Sequence, residues 1–489
     1  MKIIEKTKKH DNIIMLIFIG IAVCAVAFWV KSEANDELWN FSNIYKMVNG
    51  YTIYKDTNVI ITPLFFYIGE VFFKMLGANY LTGRILGALI FISMFFSIYQ
   101  LFKVLNIRKL NSMLYVLGIM VAYQENIMSI GAYNQLAIIF YILGIIFLIK
   151  SKYKPTINSI IQGIIIFLIF LSKQNLAVYY IIANIICRIV TNKNKIQIVK
   201  HTIIELTTSF ILLVLFLYTL YLNNNLYEFI NYTVLGITDF ADKNTVMPVV
   251  NIIAILLQVA LLISYFIIAK IKKIPFEEKI RKNIKIMTIF SILIIFFAYP
   301  ILNVFHINSE AILTIITTLY IIDNIIVETL LKSKKTDIIK KVAIVAMLIY
   351  FIIKGTNNNI NYINMMDKEE GPYYGAIFLE ETKQEINEIV EFIKTENSKG
   401  IDVKIVSYHA NLYMNILKKN NGIMDLPFNG NMGKDGANGV INQIKSLQNS
   451  KVLITKEKDD TYQESTQIRE YIQNNMELIG EISQFLIYK

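Results

Sequence analysis

Pro63-Leu64-Phe65-Phe66-Tyr67-Ile68-Gly69-Glu70-Val71-Phe72-Phe73-Lys74-Met75-Leu76 is the stretch whose reading decides the fold. It is apolar but only 14 residues long, whereas a helix that crosses a bilayer needs about 20. Glu70 and Lys74 lie four apart, the spacing of an ion pair on one helix face. If the stretch crossed, every later basic loop would fall on the far side of the membrane. If it turns back, residues 81–102 run inward and Lys103, Arg108 and Lys109 land in the cytoplasm, as the positive-inside rule favours. The reading is therefore a re-entrant or juxtamembrane helix.

The spans on either side follow from that choice. Lys2, Lys6, Lys8 and Lys9 hold the amino terminus in the cytoplasm, and residues 13–30 run outward with no small-residue cleavage site after them. After 81–102, apolar segments at 111–128, 136–149, 157–172, 176–190, 202–222, 248–269, 286–303, 311–331 and 342–354 alternate across the bilayer. The expectation is a polytopic α-helical membrane protein of about eleven spans, multi-pass in a cell membrane, with the carboxyl terminus outside. Of the 489 residues 55% are hydrophobic, mean hydropathy is +0.49 and net charge +11. Because Lys and Arg sit mostly in short loops, that charge speaks for membrane orientation and against nucleic acid. Cys24 and Cys187 both fall in apolar spans, so no disulfide framework is implied.

Past Lys354 the composition turns polar. Residues 1–355 form the expected membrane domain, 356–370 a linker and 371–489 a small extracytoplasmic α/β domain. Within the last, 382–396 carries Ile386, Ile389, Val390 and Ile393 at helical spacing. Strands are expected at Val403–Ser407, Val452–Thr455 and Ile482–Tyr488, and helices at 437–448 and 465–475. Gly430, Gly433, Gly436 and Gly439 recur every third position, but no Lys-Ser/Thr follows, so they read as a mobile loop before a helix rather than a phosphate cradle. His409, just past a strand, reads as structural. Asp323, mid-span and next to Asn324, reads as a buried hydrogen-bonding group, with a proton path as the sharper alternative.

The chemistry gathers in a polar island, Ser32-Glu33-Ala34-Asn35-Asp36-Glu37-Leu38-Trp39-Asn40, directly after the first span. Acids at a helix amino terminus suit its dipole, which is the plain reading. The functional one is that carboxylates at a bilayer surface, in a chain sparing with acids, have a task. Asp36, Trp39, Asn40 and Asn43 share one helical face, which could hold a hydroxyl-bearing acceptor while Asp36 takes its proton. Arg84, Lys173 and His306 fall at outer span ends, the depth of a lipid phosphate. Each also reads plainly as a snorkelling or headgroup-binding residue. A divalent metal between carboxylate and phosphate would be compatible with this chemistry, though no His/Asp/Glu spacing demands one.

These motifs, in order, resemble the GT-C glycosyltransferases. The likeness rests on an outward first helix, Asn35-Asp36-Glu37, Gly50-Tyr51-Thr52-Ile53-Tyr54, Pro63-Leu64, Leu76-Gly77-Ala78-Asn79 and Arg84. It is nearest the branch of protein O-mannosyltransferases and the lipid A aminoarabinose transferase. Ser172-Lys173-Gln174-Asn175 and Tyr299-Pro300 followed by His306 resemble later family motifs. The resemblance covers residues 1–355. It implies a polyprenyl-phosphate-linked sugar donor, an outer-face site, and an acidic first-loop residue as general base, here Asp36 with Glu37 beside it. It further implies a bacterial cell-envelope enzyme whose acceptor is a glycan, lipid or protein. Arg84, Lys173 and His306 would contact donor phosphate; Trp39, Asn40, Tyr133, Asn134 and Gln174 would contact sugar or acceptor. Where many members carry a second acid, Gly131 to Gln135 offers amides and a tyrosine. Two other classes remain: a transporter or flippase of lipid-linked glycans, which would line a mid-membrane path, and a non-catalytic scaffold presenting the tail domain.

Overall fold

The computed structural model describes residues 2–29, 31–32, 35–127, 130–150, 155–192, 194–236, 249–271, 277–298, 304–324, 333–428, 430–458 and 465–489. Tyr299-Pro300 therefore lies outside the described residues. The chain is mostly helical. Long helices are α1 (Lys2–Ala27), α4 (Tyr80–Val104), α5 (Lys109–Tyr123), α6 (Tyr133–Ile149), α7 (Pro155–Ser172), α8 (Gln174–Thr191), α9 (Lys195–Leu222), α11 (Val249–Ile271), α12 (Glu278–Ile294), α13 (Val304–Ile322) and α14 (Lys334–Tyr362). The shorter α2 (Asn35–Val48) and α3 (Leu64–Leu76) fill the first loop, and α10 (Leu226–Ile230) a later one. By length and composition, five of the described helices are apolar enough to cross a membrane. Helix α9 shows the apolar outer face of the bundle: Ile203, Phe210, Val214, Tyr218 and Leu222 are all exposed, a surface suited to lipid.

The deciding stretch is a 13-residue helix, α3, about 20 Å long against a hydrocarbon core of about 30 Å. Glu70 and Lys74 pair across it at 2.6 Å, as their spacing demands. Both of its ends sit at the same end of the bundle. Before it, Thr62 Oγ1 donates to the Phe170 carbonyl (2.7 Å) and Gln174 Nε2 to the Ile60 carbonyl (3.1 Å), at the α7–α8 turn. After it, Gly77 turns the chain at φ 101° and the Asn79 side chain caps α4 by accepting from Thr82 N–H. The start of α4 and the α7–α8 turn belong to one end, because Tyr80 reaches Ile130 through Glu37, and Lys173 bonds Asn134. A helix with both flanks at one end of the bundle and too short to cross fits the re-entrant or juxtamembrane expectation.

Three helix boundaries move from their expected places. Helices α6 and α13 begin at Tyr133 and Val304, so Tyr133, Asn134 and His306 sit in first helical turns rather than loops. Asp323 continues α13 in a π-helical turn and accepts from Asn111 Nδ2 (2.7 Å) and Tyr115 O–H (2.8 Å), the buried bonding expected of it. The polar run 356–361, expected as linker, continues α14 to Tyr362. Packing explains this: Gly355 lies against Ala25, where an added Cβ would come within 3.0 Å, and Asn358 Nδ2 donates to the Ala25 carbonyl. Asparagine weakens a helix but does not break one held along its length.

The carboxyl-terminal part is a four-stranded sheet, β1 (Asp402–Val406), β2 (Ser450–Thr455), β3 (Leu478–Ile482) and β4 (Phe485–Tyr488), in the order β1-β2-β4-β3. Strands β1 and β2 are parallel, in register Asp402 with Ser450; β4 is antiparallel to both β2 and β3. Helix α15 (Glu380–Ser398) buries Ile386, Ile389, Val390 and Ile393 against it. The single closing strand expected at Ile482–Tyr488 is the second half of a hairpin. Its turn places Ser483 at φ 47°, a conformation that glycine or asparagine would have advertised and serine does not.

Candidate active site

Helix α2 carries the polar island's acids in its first turn, and the structure gives the two neighbours opposite surroundings. Glu37 is fully buried: its carboxylate accepts from Tyr80 O–H (3.2 Å) and Ile130 N–H (3.3 Å), tying the first loop to α4 and to the second loop. Asp36 is solvent-accessible, although residues 37–40 beside it are buried. Protein nevertheless surrounds its carboxyl closely, and that burial, with the Glu37 charge next to it, pushes its pKa above the usual carboxylate range.

Two neighbouring residues of α2 leave polar valences open in that neighbourhood. Trp39 Nε1 and Asn40 Oδ1 are both buried and have no hydrogen-bond partner, among the described residues. The other Asn40 amide atom is used, Nδ2 donating to the Asp36 carbonyl at 2.6 Å. A buried N–H and a buried carbonyl oxygen left unmet cost on the order of 1–3 kcal/mol each.

Across from α2 stands the first turn of α6. The Asp36 charge reaches Tyr133, whose ring lies 6.4 Å from that of Phe65. The next residue, Asn134, accepts from Lys173 Nζ at 2.9 Å. Lys173 sits in the turn between α7 and α8, and its ammonium also lies 3.6 Å from the centre of the Phe297 ring. Burial without a carboxylate partner pulls its pKa down to about 7. The Phe297 ring is in turn 6.1 Å from that of His306. The structure thus brings Asp36, Tyr133, Asn134, Lys173 and His306 to one end of the bundle, with the cation bonded to Asn134 and the acid's charge felt at the preceding Tyr133.

Arg84 and Gln174 are placed differently. Arg84 is fully buried and its guanidinium donates to the Phe28 carbonyl (2.9 Å), the Gly375 carbonyl (3.1 Å) and Ser32 Oγ (3.0 Å). It clamps the end of α1, the polar island and the carboxyl-terminal segment together. Gln174 braces backbone, through the Ile60 and Thr233 carbonyls. Tyr80 and Phe297 were not singled out from the sequence: aromatic residues are everywhere in this chain, and only tertiary contact tells these two from the rest. Among the described residues no group of three or more His, Cys, Asp or Glu gathers to hold a metal ion.

Neither a family model nor a curated protein matches the sequence. Among solved structures, ArnT from Cupriavidus metallidurans bound to undecaprenyl phosphate matches with a TM-score of 0.59 over 97% of each chain, at 9% identity. The chain has the fold of ArnT. The shared fold runs through both parts of the molecule, since the 97% coverage includes the carboxyl-terminal sheet as well as the helices. At 9% identity the likeness is one of architecture, and the site's residues stand on their own geometry.

Proposed function

We propose that the protein is a membrane glycosyltransferase that moves a sugar from a polyprenyl-phosphate donor to an acceptor hydroxyl on the extracytoplasmic side. What supports the reading is an accessible acid, Asp36, whose charge is felt at Tyr133, beside a residue, Asn134, that accepts from the cation Lys173. Transfer at an anomeric carbon needs a base on one side and a charge that receives the departing phosphate on the other.

In this account the acceptor hydroxyl is held beside Trp39 and Asn40. Its proton passes to Asp36 as its oxygen bonds to the anomeric carbon. The bond from that carbon to the phosphate oxygen breaks, and the electron pair leaves with the polyprenyl phosphate, whose charge Lys173 meets, with His306 beside it as a hydrogen-bond donor. A raised pKa makes Asp36 a stronger base than a solvated carboxylate, provided the pH stays above that pKa. Glu37 holds α2 in place through Tyr80 and Ile130, and Arg84 acts as framework. The fold shared with ArnT, a protein seen with undecaprenyl phosphate, agrees with a lipid-linked donor.

The test is incubation of the reconstituted protein with undecaprenyl-phosphate hexoses labelled in the sugar, in bacterial membrane vesicles that supply acceptors. The proposal expects labelled product and free undecaprenyl phosphate. Movement of the intact labelled lipid between leaflets would identify a flippase, and neither outcome a scaffold; both would overturn the enzyme reading.

A further inference from the structure

The carboxyl-terminal domain grips the helix that carries Asp36. Lys46, in the last turn of α2, forms an ion pair with Asp425, and both side chains are 3% exposed. Asp425 is a node: its backbone carbonyl accepts from Asn58 Nδ2, and its backbone bridges to Ser407 at the end of β1. One turn earlier on α2, Ser42 Oγ accepts from Asn415 Nδ2 at 2.7 Å, and Asn415 also bonds Tyr373. Ser32, on the other side of Asp36, exchanges hydrogen bonds with Ile377 (3.0 and 2.8 Å). The proposed base therefore lies on a segment pinned before and after by a domain distant in sequence.

A buried ion pair is a poor device for stability alone. Removing two charges from water offsets most of their attraction, and well-packed apolar residues usually hold a fold as well. What the pair supplies is register: a Lys and an Asp enclosed together admit one alignment of two surfaces, where an apolar contact admits several. We infer that Lys46 and Asp425 are positioning residues, through which the carboxyl-terminal domain sets the place of Asp36 relative to Lys173. The inference rests on the proposed transfer reaction, and gives the domain a part in it without contact to substrate.

The experiment compares wild type with the double replacement Lys46→Met/Asp425→Leu, which leaves no uncompensated buried charge, and with Lys46→Arg, which keeps a cation against Asp425. Release of undecaprenyl phosphate from an undecaprenyl-phosphate hexose is followed in vesicles, alongside thermal melting and Trp39 fluorescence in a Trp29→Phe background. The expected result is a melting temperature near wild type, kcat at least tenfold lower, donor KM within twofold, and Trp39 emission shifted, with Lys46→Arg within about threefold of wild type in kcat. Unchanged kcat in the double variant overturns the inference. So does a fall in kcat matched by an equal fall in folded protein, which is a structural role alone. If the double variant does not fold, Ser42→Ala decides: a severalfold lower kcat at constant donor KM supports positioning, and no change overturns it. Failure of the proposed function itself would show separately, as no release by wild type.

Discussion

The two ends of the helix bundle treat their charges differently. At the end opposite Asp36, carboxylates are matched. Glu205 is paired with Arg188 and bonded by Asn184, Asp337 is paired with Arg108, Asp11 with Lys109, and Asp323 accepts from Asn111 and Tyr115. At the near end Asp425, Glu70 and Glu125 are likewise paired, with Lys46, Lys74 and Lys354, but Asp36 is accessible and has no cation against it among the described residues, and Lys173 has an amide and an aromatic ring in place of a carboxylate. Matched charges hold helices; unmatched ones are maintained at a cost in stability. Asp36 and Lys173 are the exceptions to that matching, and the proposed function rests on them.

Each prediction probes that contrast. Asp36→Asn should slow transfer by about 10²–10⁴-fold, the usual worth of a general base, with undecaprenyl phosphate binding unchanged; single-turnover assays and lipid binding measure the two parts. Arg188→Met, at the far end, should do the reverse. Stranding Glu205 should lower stability by about 3–5 kcal/mol while the folded fraction keeps its kcat, as read by melting and active-enzyme titration.

The pH profile sharpens the contrast further. Asp36 must be ionised, and its raised pKa places the acid limb at higher pH than an ordinary carboxylate would. Lys173 must be protonated, so kcat/KM should fall as pH rises through about 7. Bound phosphate favours the ammonium, so the same limb should move to higher pH in kcat. Lys173→Met should remove the alkaline limb and raise donor KM about tenfold or more, the loss of a charge-assisted contact. The smallest effect is expected for Asp323→Asn, which keeps most of its bonds: a loss of about 1 kcal/mol and transfer within twofold of wild type.

Much of this architecture is legible in the residues. The helix periods, the short length of 64–76 and the Glu70–Lys74 spacing place the re-entrant or juxtamembrane helix without a structure, and Asp36 stands out because acids are rare beside apolar spans. What the chain does not advertise is tertiary. Asp36 and Glu37 are equivalent on paper, and only the contacts of Tyr80 and Ile130 show which one is tied down. The Arg84 position at a span end suits phosphate and framework equally, until Gly375, 291 residues on, supplies the carbonyl it holds. The glycine run read as a mobile loop is packed. Gly433 lies against Asn231 and Gly236, and Lys434 N–H donates to Asn231 Oδ1 at 2.8 Å, a docking that no local pattern encodes. The polar tail domain looks separable by composition, yet its bonds to Ser32, Ser42 and Lys46 make it part of the frame.

The most direct measurement is a cryo-electron-microscopy reconstruction of the full chain in lipid nanodiscs with undecaprenyl phosphate. The account predicts the phosphate within hydrogen-bonding reach of Lys173 Nζ, on the side of Asn134 that faces Asp36. Phosphate bound at the Arg188–Glu205 end, or separated from Asp36 by packed protein, would contradict it.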